Sequence, residues 1–386
     1  MGTTDFWRLD DTVMQRDLEE YFYWLALKSV PGVGNQTFRR LLTRFGTPEN
    51  VFKAPPEELF AVEGISPRVV SGIRNFKGGD RVRKELAEVK RRGFHLISFA
   101  DDEYPGYLRQ IHDPPPILYI NGEHMPRLGV AIGIVGSRHA TPYGIAMTKE
   151  LSMGLVERGF SIISGMARGI DTAAHEGALT AHGKTVAVLG CGLGTIYPPE
   201  NEKLYHKIAE QGAVISEFPI HAMPEAHHFP IRNRIISGMS LGTVIVEATT
   251  RSGSLITAQC AMEQGREVFA VPGSVRSFKS TGTHQLIKQG AKLVENVTDI
   301  IEELDPILHP QNICAKKEAN NAGVLAALSG EERRVLEALT PYPIHIDSII
   351  RQLSLNPGEA SGILLQLEIK GVAEQMPGKL FVRKID

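Results

Sequence analysis

The sequence predicts an α/β protein: a doubly wound, Rossmann-like central domain, preceded by a small helical domain and followed by a winged helix. Three observations carry this expectation. Apolar runs alternate with helical patterns between about Phe94 and Leu304. A weak repeat centred on Gly32 and Gly64 precedes them, and three helical patterns with a terminal hairpin follow. A chain of 386 residues is too long for one ordinary domain. The expected divisions are 1–80, 81–306, a linker at 307–328, and 329–386.

In the first region "SVPGVGNQTFRRLL" and "AVEGISPRVVSGI" superpose, with Gly32 over Gly64 and Leu41 over Ile73. Each reads as an apolar residue, a glycine turn and a helix, hence a helix-hairpin-helix. Such a hairpin can present backbone N–H groups to a phosphate. The plainer reading, that the glycines only permit a tight turn, is slightly favoured, because Glu63 stands beside the second turn.

The central strands read "VAIGIVGS", "FSIISGMA", "TVAVLGCG", "AVISEFP", "TVIVEAT" and "EVFAVPG", with helices such as Tyr143 to Glu157 and Leu255 to Gln264 between them. Near-continuous apolar strands separated by helices imply a parallel sheet covered on both faces. The proline-containing stretch "DDEYPGYLRQIHDPPPILYINGE" is expected to lead in with an edge strand. After the polar linker "HPQNICAKKEANNAG", Ser329 and Glu332 stand in capping-box spacing. Helices "IDSIIRQL" and "PGEASGILLQLEIKG" and a hairpin turned at Pro377-Gly378 complete a winged helix. Its would-be recognition helix has little basic character before Lys370, so a protein contact is at least as good a reading as groove binding.

Composition narrows the function. The balance of 42 Lys+Arg against 44 Asp+Glu gives −2, so a polyanion would have to be read by a local cluster. Cys191, Cys260 and Cys314 form no C-x-x-C pair, against a zinc or disulfide framework. The start "MGTTDFWRLDD" lacks the features of a signal peptide and no apolar run spans a membrane, so a cytoplasmic protein is expected.

In an open parallel sheet, ligands bind beyond the carboxyl ends of the strands. "VGSRHATPYG" puts Gly136, Ser137 and Arg138 there. "SGMARGIDTAAH" supplies Ser164, Gly165, Arg168 and Gly169, and "EATTRSGSLITA" supplies Ser252, Gly253 and Ser254 at a helix start. Glycines admit close backbone approach, helix N-termini favour anions, and arginines offer forked donors for phosphate oxygens. "HHFPIRNRII" adds Phe229, Arg232, Asn233 and Arg234. Its two arginines read better as phosphate ligands than as salt bridges to residues such as Asp171 or Glu247.

Other features carry less. "GCGLG" is followed by "TIYPPEN", whose prolines stand where a dinucleotide-binding helix would begin, so no cofactor is expected. His227-His228 suggests a metal, but no acidic or cysteine partner stands at ligand spacing. Asp171 and His175 lie four apart on one helix and resemble half a catalytic set. Asp171 reads better as a cap holding a neighbouring arginine. Lys184 precedes a strand at its amino end and reaches a ligand only if the sheet edge folds over it.

The stretches "VGSRHATPYG", "ISGMARGIDTAAHEGAL", "GKTVAVLGCGLGTIYPPEN", "FPIRNRIISG", "VEATTRSGSLITAQCAMEQGREVFAVPG" and "GTHQLIKQGA" closely resemble the DprA/Smf family of DNA-processing proteins. The flanking regions look like the sterile-alpha-motif-like (SAM-like) and winged-helix domains that many members carry. The resemblance implies single-stranded DNA binding without sequence specificity, homodimerisation through the Rossmann domain, and loading of the RecA recombinase during DNA uptake, natural transformation and recombination. It also implies that no reaction is catalysed. Two rivals differ in class. One is a Rossmann-type phosphoribohydrolase acting through a carboxylate such as Glu247, though "EATTRSGSL" departs from the "PGGxGT"-type loop of those enzymes. The other is a pure protein adaptor.

Overall fold

The computed structural model describes residues 18–122, 128–308 and 328–384. The segment "MGTTDFWRLDD", the linker stretch "HPQNICAKKEANNAG" and Cys314 lie outside them. The chain divides into two compact units, one ending at Ile301 and the other beginning at Glu302.

The first unit opens with helices α1 (Phe22–Lys28), α2 (Asn35–Phe45), α3 (Pro48–Lys53), α4 (Pro56–Phe60), α5 (Pro67–Arg74) and α6 (Gly79–Arg92). Gly32 and Gly64 have φ of +91° and +77°, which turns the chain between α1 and α2 and between α4 and α5 at no side-chain cost. The second turn is closed over by its neighbour, since Arg40 donates to the Glu63 carbonyl at 3.0 Å. That favours the plainer reading of Gly64.

These helices pack on one another and also against the sheet region. They have their own core, including Leu27, Phe38, Leu41, Leu59 and Ile73. A second buried cluster, however, joins Tyr21, Leu25, Ala26, Val82 and Leu86 to Met166, Ala187, Leu189 and Val214 of the sheet region. Burial of apolar surface therefore welds the helical part to the sheet.

The sheet elements follow as β1 (His95–Ser98), α7 (Gly106–Arg109), β2 (Ile117–Asn121), β3 (Ala131–Gly136), α8 (Pro142–Glu157), β4 (Ser161–Ser164), α9 (Ile170–Thr180) and β5 (Thr185–Val188). Then come α10 (Glu202–Gln211), β6 (Ala213–Ser216), α11 (His228–Gly238), β7 (Gly242–Val246), α12 (Gly253–Glu263), β8 (Glu267–Ala270), α13 (Thr281–Lys288), β9 (Lys292–Leu293) and α14 (Val297–Leu308). The nine-stranded order is β1-β2-β6-β5-β4-β3-β7-β8-β9. From β3 to β9 the strands run parallel, whereas β1–β2 and β2–β6 are antiparallel. The proline-containing lead-in does hold a strand, β2, but β2 is not an edge: β1 lies outside it. Its prolines stop short of the strand, at Pro116, so they remove no ladder donor.

Chain direction decides where a ligand can sit. After β3 the sheet grows one way through β4, β5 and β6, then returns to the other side of β3 with β7. The switch point lies between β3 and β7, at their carboxyl ends.

The second unit contains α15 (Gly330–Ala338), β10 (Ile344–His345), α16 (Ile346–Leu353), α17 (Pro357–Ile369), β11 (Ala373–Met376) and β12 (Leu380–Arg383). Its core includes Val335, Leu336, Ile349, Leu364, Leu367 and Phe381. The expected capping box at Ser329 and Glu332 is present, and Asn356 with Glu359 forms another. The expected hairpin gains β10 as a third strand, paired to β12. Lys370 donates to both Glu332 carboxylate oxygens, at 2.7 and 2.8 Å, so it is not a free DNA contact.

Candidate nucleic-acid interface

The carboxyl ends of the central strands enclose a cleft of about 810 Å³. Its floor depends on close backbone approach. A Cβ on Gly136 would collide with the Val246 carbonyl, and one on Gly169 (φ +74°) with the Ser137 carbonyl. With both positions bare, the loops after β3 and β4 interlock: the Ile170 N–H donates to Ser137 O at 3.1 Å.

Two helices begin at this cleft without a side-chain cap: α9 at Gly169 and α12 at Ser252. The Ser252 hydroxyl instead accepts from the Thr249 N–H at 2.8 Å, and Gly253 faces open space. At α9 the Ile170 and Thr172 N–H groups already donate to Ser137 O and Ala167 O, both at 3.1 Å. It is therefore the start of α12 whose uncapped N–H groups carry the positive end of the helix dipole and suit an anion.

Charged side chains reinforce that field. Arg138, Arg232, Arg251 and Lys279 line the cleft against one carboxylate, Asp171. Arg138 is exposed and lies over the Phe229 ring, 5.3 Å from its centroid. Arg251 is exposed and has no hydrogen-bond or ion-pair partner among the described residues. Arg232 is different: it is 4% exposed, and its guanidinium donates to Gly165 O at 2.6 Å and to Val188 O. Burial lowers its pKa to about 10, opposed by Asp171 and reinforced by Arg138. Arg232 thus ties α11 to the ends of β4 and β5 while contributing charge to the cleft wall. Asn233 also lines the cleft and donates to Gly253 O at 3.3 Å.

Several candidates stand elsewhere. Arg234 faces away from the cleft, 9% exposed, with its guanidinium 2.6 Å from Glu217 and 3.3 Å from Asp113. It is a structural ion pair, but with carboxylates other than those considered from sequence. Nearby, Lys28 of α1 donates to the Glu217 carbonyl, and Asn35 reaches Asp113 at 3.4 Å. Ser164 is buried and donates to Ile134 O at 2.6 Å, so its hydroxyl belongs to the sheet. Ser254, though on the cleft wall, is 8% exposed. Arg168 is exposed and paired to Glu200. Lys184 stands at the amino end of β5, the wrong end of the sheet.

The catalytic-looking pairs separate. His175 turns to the Thr185 hydroxyl at 2.7 Å, and burial pushes its imidazole down to about 3. Asp171 accepts from the Ala167 N–H at 3.3 Å, with burial raising its pKa and Arg232 opposing the rise. Glu247 accepts from the Thr141 N–H at 2.8 Å and from the Thr141 hydroxyl, so both carboxylate oxygens brace the start of α8.

Sequence reasoning missed His139, Tyr197, Arg251, Phe278 and Lys279 on the cleft wall. Arg251 was visible inside "TTRSGS", next to the serines that drew attention. Tyr197 sat in "TIYPPEN", where the prolines argued against a cofactor but said nothing about its ring. Tyr197 packs beside Phe229, ring centroids 5.7 Å apart.

Residues 95–305 match the family model of DNA recombination-mediator protein A. The chain belongs to that family, DprA/Smf. Residues 319–379 match the DprA winged helix domain and 25–75 a SAM-like helix-hairpin-helix tandem. Protein Smf of Synechocystis sp. is 34% identical over 394 residues, covering 95% of this chain and 99% of that relative. The DNA processing protein DprA of Bacillus subtilis is 42% identical over 225 residues, 58% of this chain and 76% of its own. Among solved DprA structures, that from Streptococcus pneumoniae aligns with a TM-score of 0.65 at 37% identity, covering 73% of this chain and 97% of its own. DNA processing protein A from Helicobacter pylori, described for its single-stranded DNA binding mode, aligns at 0.50 with 31% identity, over 55% and 95% of the two chains. This DprA/Smf chain also contains no helix, among the described residues, long and apolar enough to cross a membrane.

Proposed function

We propose that the cleft binds one strand of DNA through its phosphates, without sequence preference, and that the protein acts by delivering that strand to a RecA-type recombinase rather than by catalysis. Two copies joined through their Rossmann-like domains would present a longer track. The observation that carries the reading is the meeting of the uncapped α12 N-terminus with exposed Arg138 and Arg251 at the sheet's switch point. The family description as a recombination mediator and the single-stranded DNA binding described for the Helicobacter relative support it. The commitment of Glu247 to Thr141 supports a site that binds and does not cut. Incubation with nucleoside monophosphates should release no free base; release would favour a phosphoribohydrolase.

Titrating labelled single- and double-stranded oligonucleotides at several salt concentrations tests the main claim. With three or four phosphates neutralised per protomer, the log–log salt slope should be about −2 to −3, from ~0.7 per phosphate. Salt-independent binding would remove the phosphate reading.

Phe229 gives a second test. Its ring is half-buried, with Tyr197 beside it and Arg138 over it; a base would stack there by displacing the exposed Arg138. Phe229→Ala should cost about 1–3 kcal/mol of strand affinity. The stability loss should fall short of the about 3–5 kcal/mol of a fully buried phenylalanine. Phe229→Trp should keep the affinity. A large drop in melting temperature with normal affinity per folded molecule would make Phe229 a packing residue only.

A further inference from the structure

We propose that the turn entering α11 binds a zinc ion through the Glu225 carboxylate and one ring nitrogen each of His227 and His228. The inference does not depend on what occupies the cleft. One donor atom from each residue lies within 4.8 Å of the others. Glu225 Oε2 and His227 Nδ1 are 3.5 Å apart. Tetrahedral zinc with ligand bonds of about 2.0–2.1 Å places its donors about 3.3 Å apart. The Glu225–His227 pair already stands near that spacing, and the side chains close in on the ion from within 4.8 Å. From sequence no acidic or cysteine partner stands at ligand spacing; in the structure Glu225 comes beside the histidines through a turn.

That turn is already shaped. The His228 N–H donates to the Glu225 backbone carbonyl at 3.0 Å, which closes the turn that brings residue 225 beside the histidines. The His228 ring is held by stacking on Phe218, centroids 4.0 Å apart at 27°, and meets His227 edge-on at 4.4 Å. Its Nδ1 is enclosed with no hydrogen-bond partner among the described residues. A fixed imidazole with an unanswered nitrogen, beside a second imidazole and a carboxylate, is a mixed nitrogen and oxygen donor set. Such a set suits zinc over calcium or magnesium, which take oxygen ligands.

Three protein ligands leave a coordination position for water or a phosphate oxygen. Pro224, Ala226 and Phe229, which alternate with or flank the three ligands, all line the cleft. The ion would therefore sit at the cleft's rim and stiffen the segment that carries Phe229.

The test titrates the full-length, chelator-treated protein with zinc chloride in competition with a chromophoric chelator, and with cobalt(II) to read the visible spectrum of a tetrahedral site. One zinc per chain is expected. Glu225→Gln and His227→Ala should each weaken it about tenfold or more, whereas His345→Ala in the second unit should leave it unchanged. Both mutated side chains are exposed, and circular dichroism should show unchanged folding. Absence of stoichiometric uptake at micromolar zinc, or uptake that survives the Glu225→Gln/His227→Ala double change, would overturn the assignment.

Discussion

Arg234→Ala should lower folding stability by about 3–5 kcal/mol, because it strands a buried carboxylate. Glu217 is 5% exposed and loses its 2.6 Å partner, while Asp113 loses a charge at 3.3 Å. Removing both members of the main pair, as Arg234→Met with Glu217→Leu, should restore part of the loss, since Glu217 is no longer stranded while Asp113 and the buried Lys28 keep their charges. Denaturant melts of the two variants and the unaltered protein measure this. Oligonucleotide affinity per folded molecule should stay near that of the unaltered protein. A stable Arg234→Ala protein with weakened strand binding would return Arg234 to the DNA path.

The second large effect is expected in binding. Arg138 and Arg251 are exposed on the loops after β3 and β7 and lie on the cleft wall. If each makes a charge-assisted bond to phosphate, each alanine substitution should cost about 1.5–3 kcal/mol. Combined, they should cost about 3–6 kcal/mol if independent. The salt slope of the double variant should be shallower by about 1.4, from ~0.7 for each lost phosphate contact. The loss should be alike for every oligonucleotide sequence, because phosphates carry no base identity. A slope that does not change would place the strand elsewhere.

Much of the fold was legible because its signals are local. Apolar runs of strand length between helical patterns, and Ser329 three residues before Glu332, need no distant partner to be read. The glycine-serine-arginine loops were legible for the same reason: the switch-point rule places them once the strands are known. What failed was the direction of individual side chains. Arg232 and Arg234 sit two positions apart on α11, which turns them about 200° from each other. One therefore reaches the strand ends and the other the far side. Nothing near Arg234 in sequence announces Asp113, which the fold brings in from before β2. Ser164 likewise looks like a ligand donor until its hydroxyl is seen donating to the Ile134 carbonyl on the neighbouring strand. Short β10 carried no alternating pattern and became visible only through its pairing with β12.

The core shared by the first helices and the sheet sets a limit on modularity. Tyr21, Leu25 and Ala26 belong to the buried cluster that also contains Met166, Leu189 and Leu193. A chain cut near residue 80 would leave that sheet face with an open apolar patch and take Lys28 from Glu217 and Asn35 from Asp113. Trimming the helical segment or grafting it on its own should therefore cost stability. Successful transplants would have to carry the contacting face of the sheet with it, and variation on one side of that seam should be answered by variation on the other.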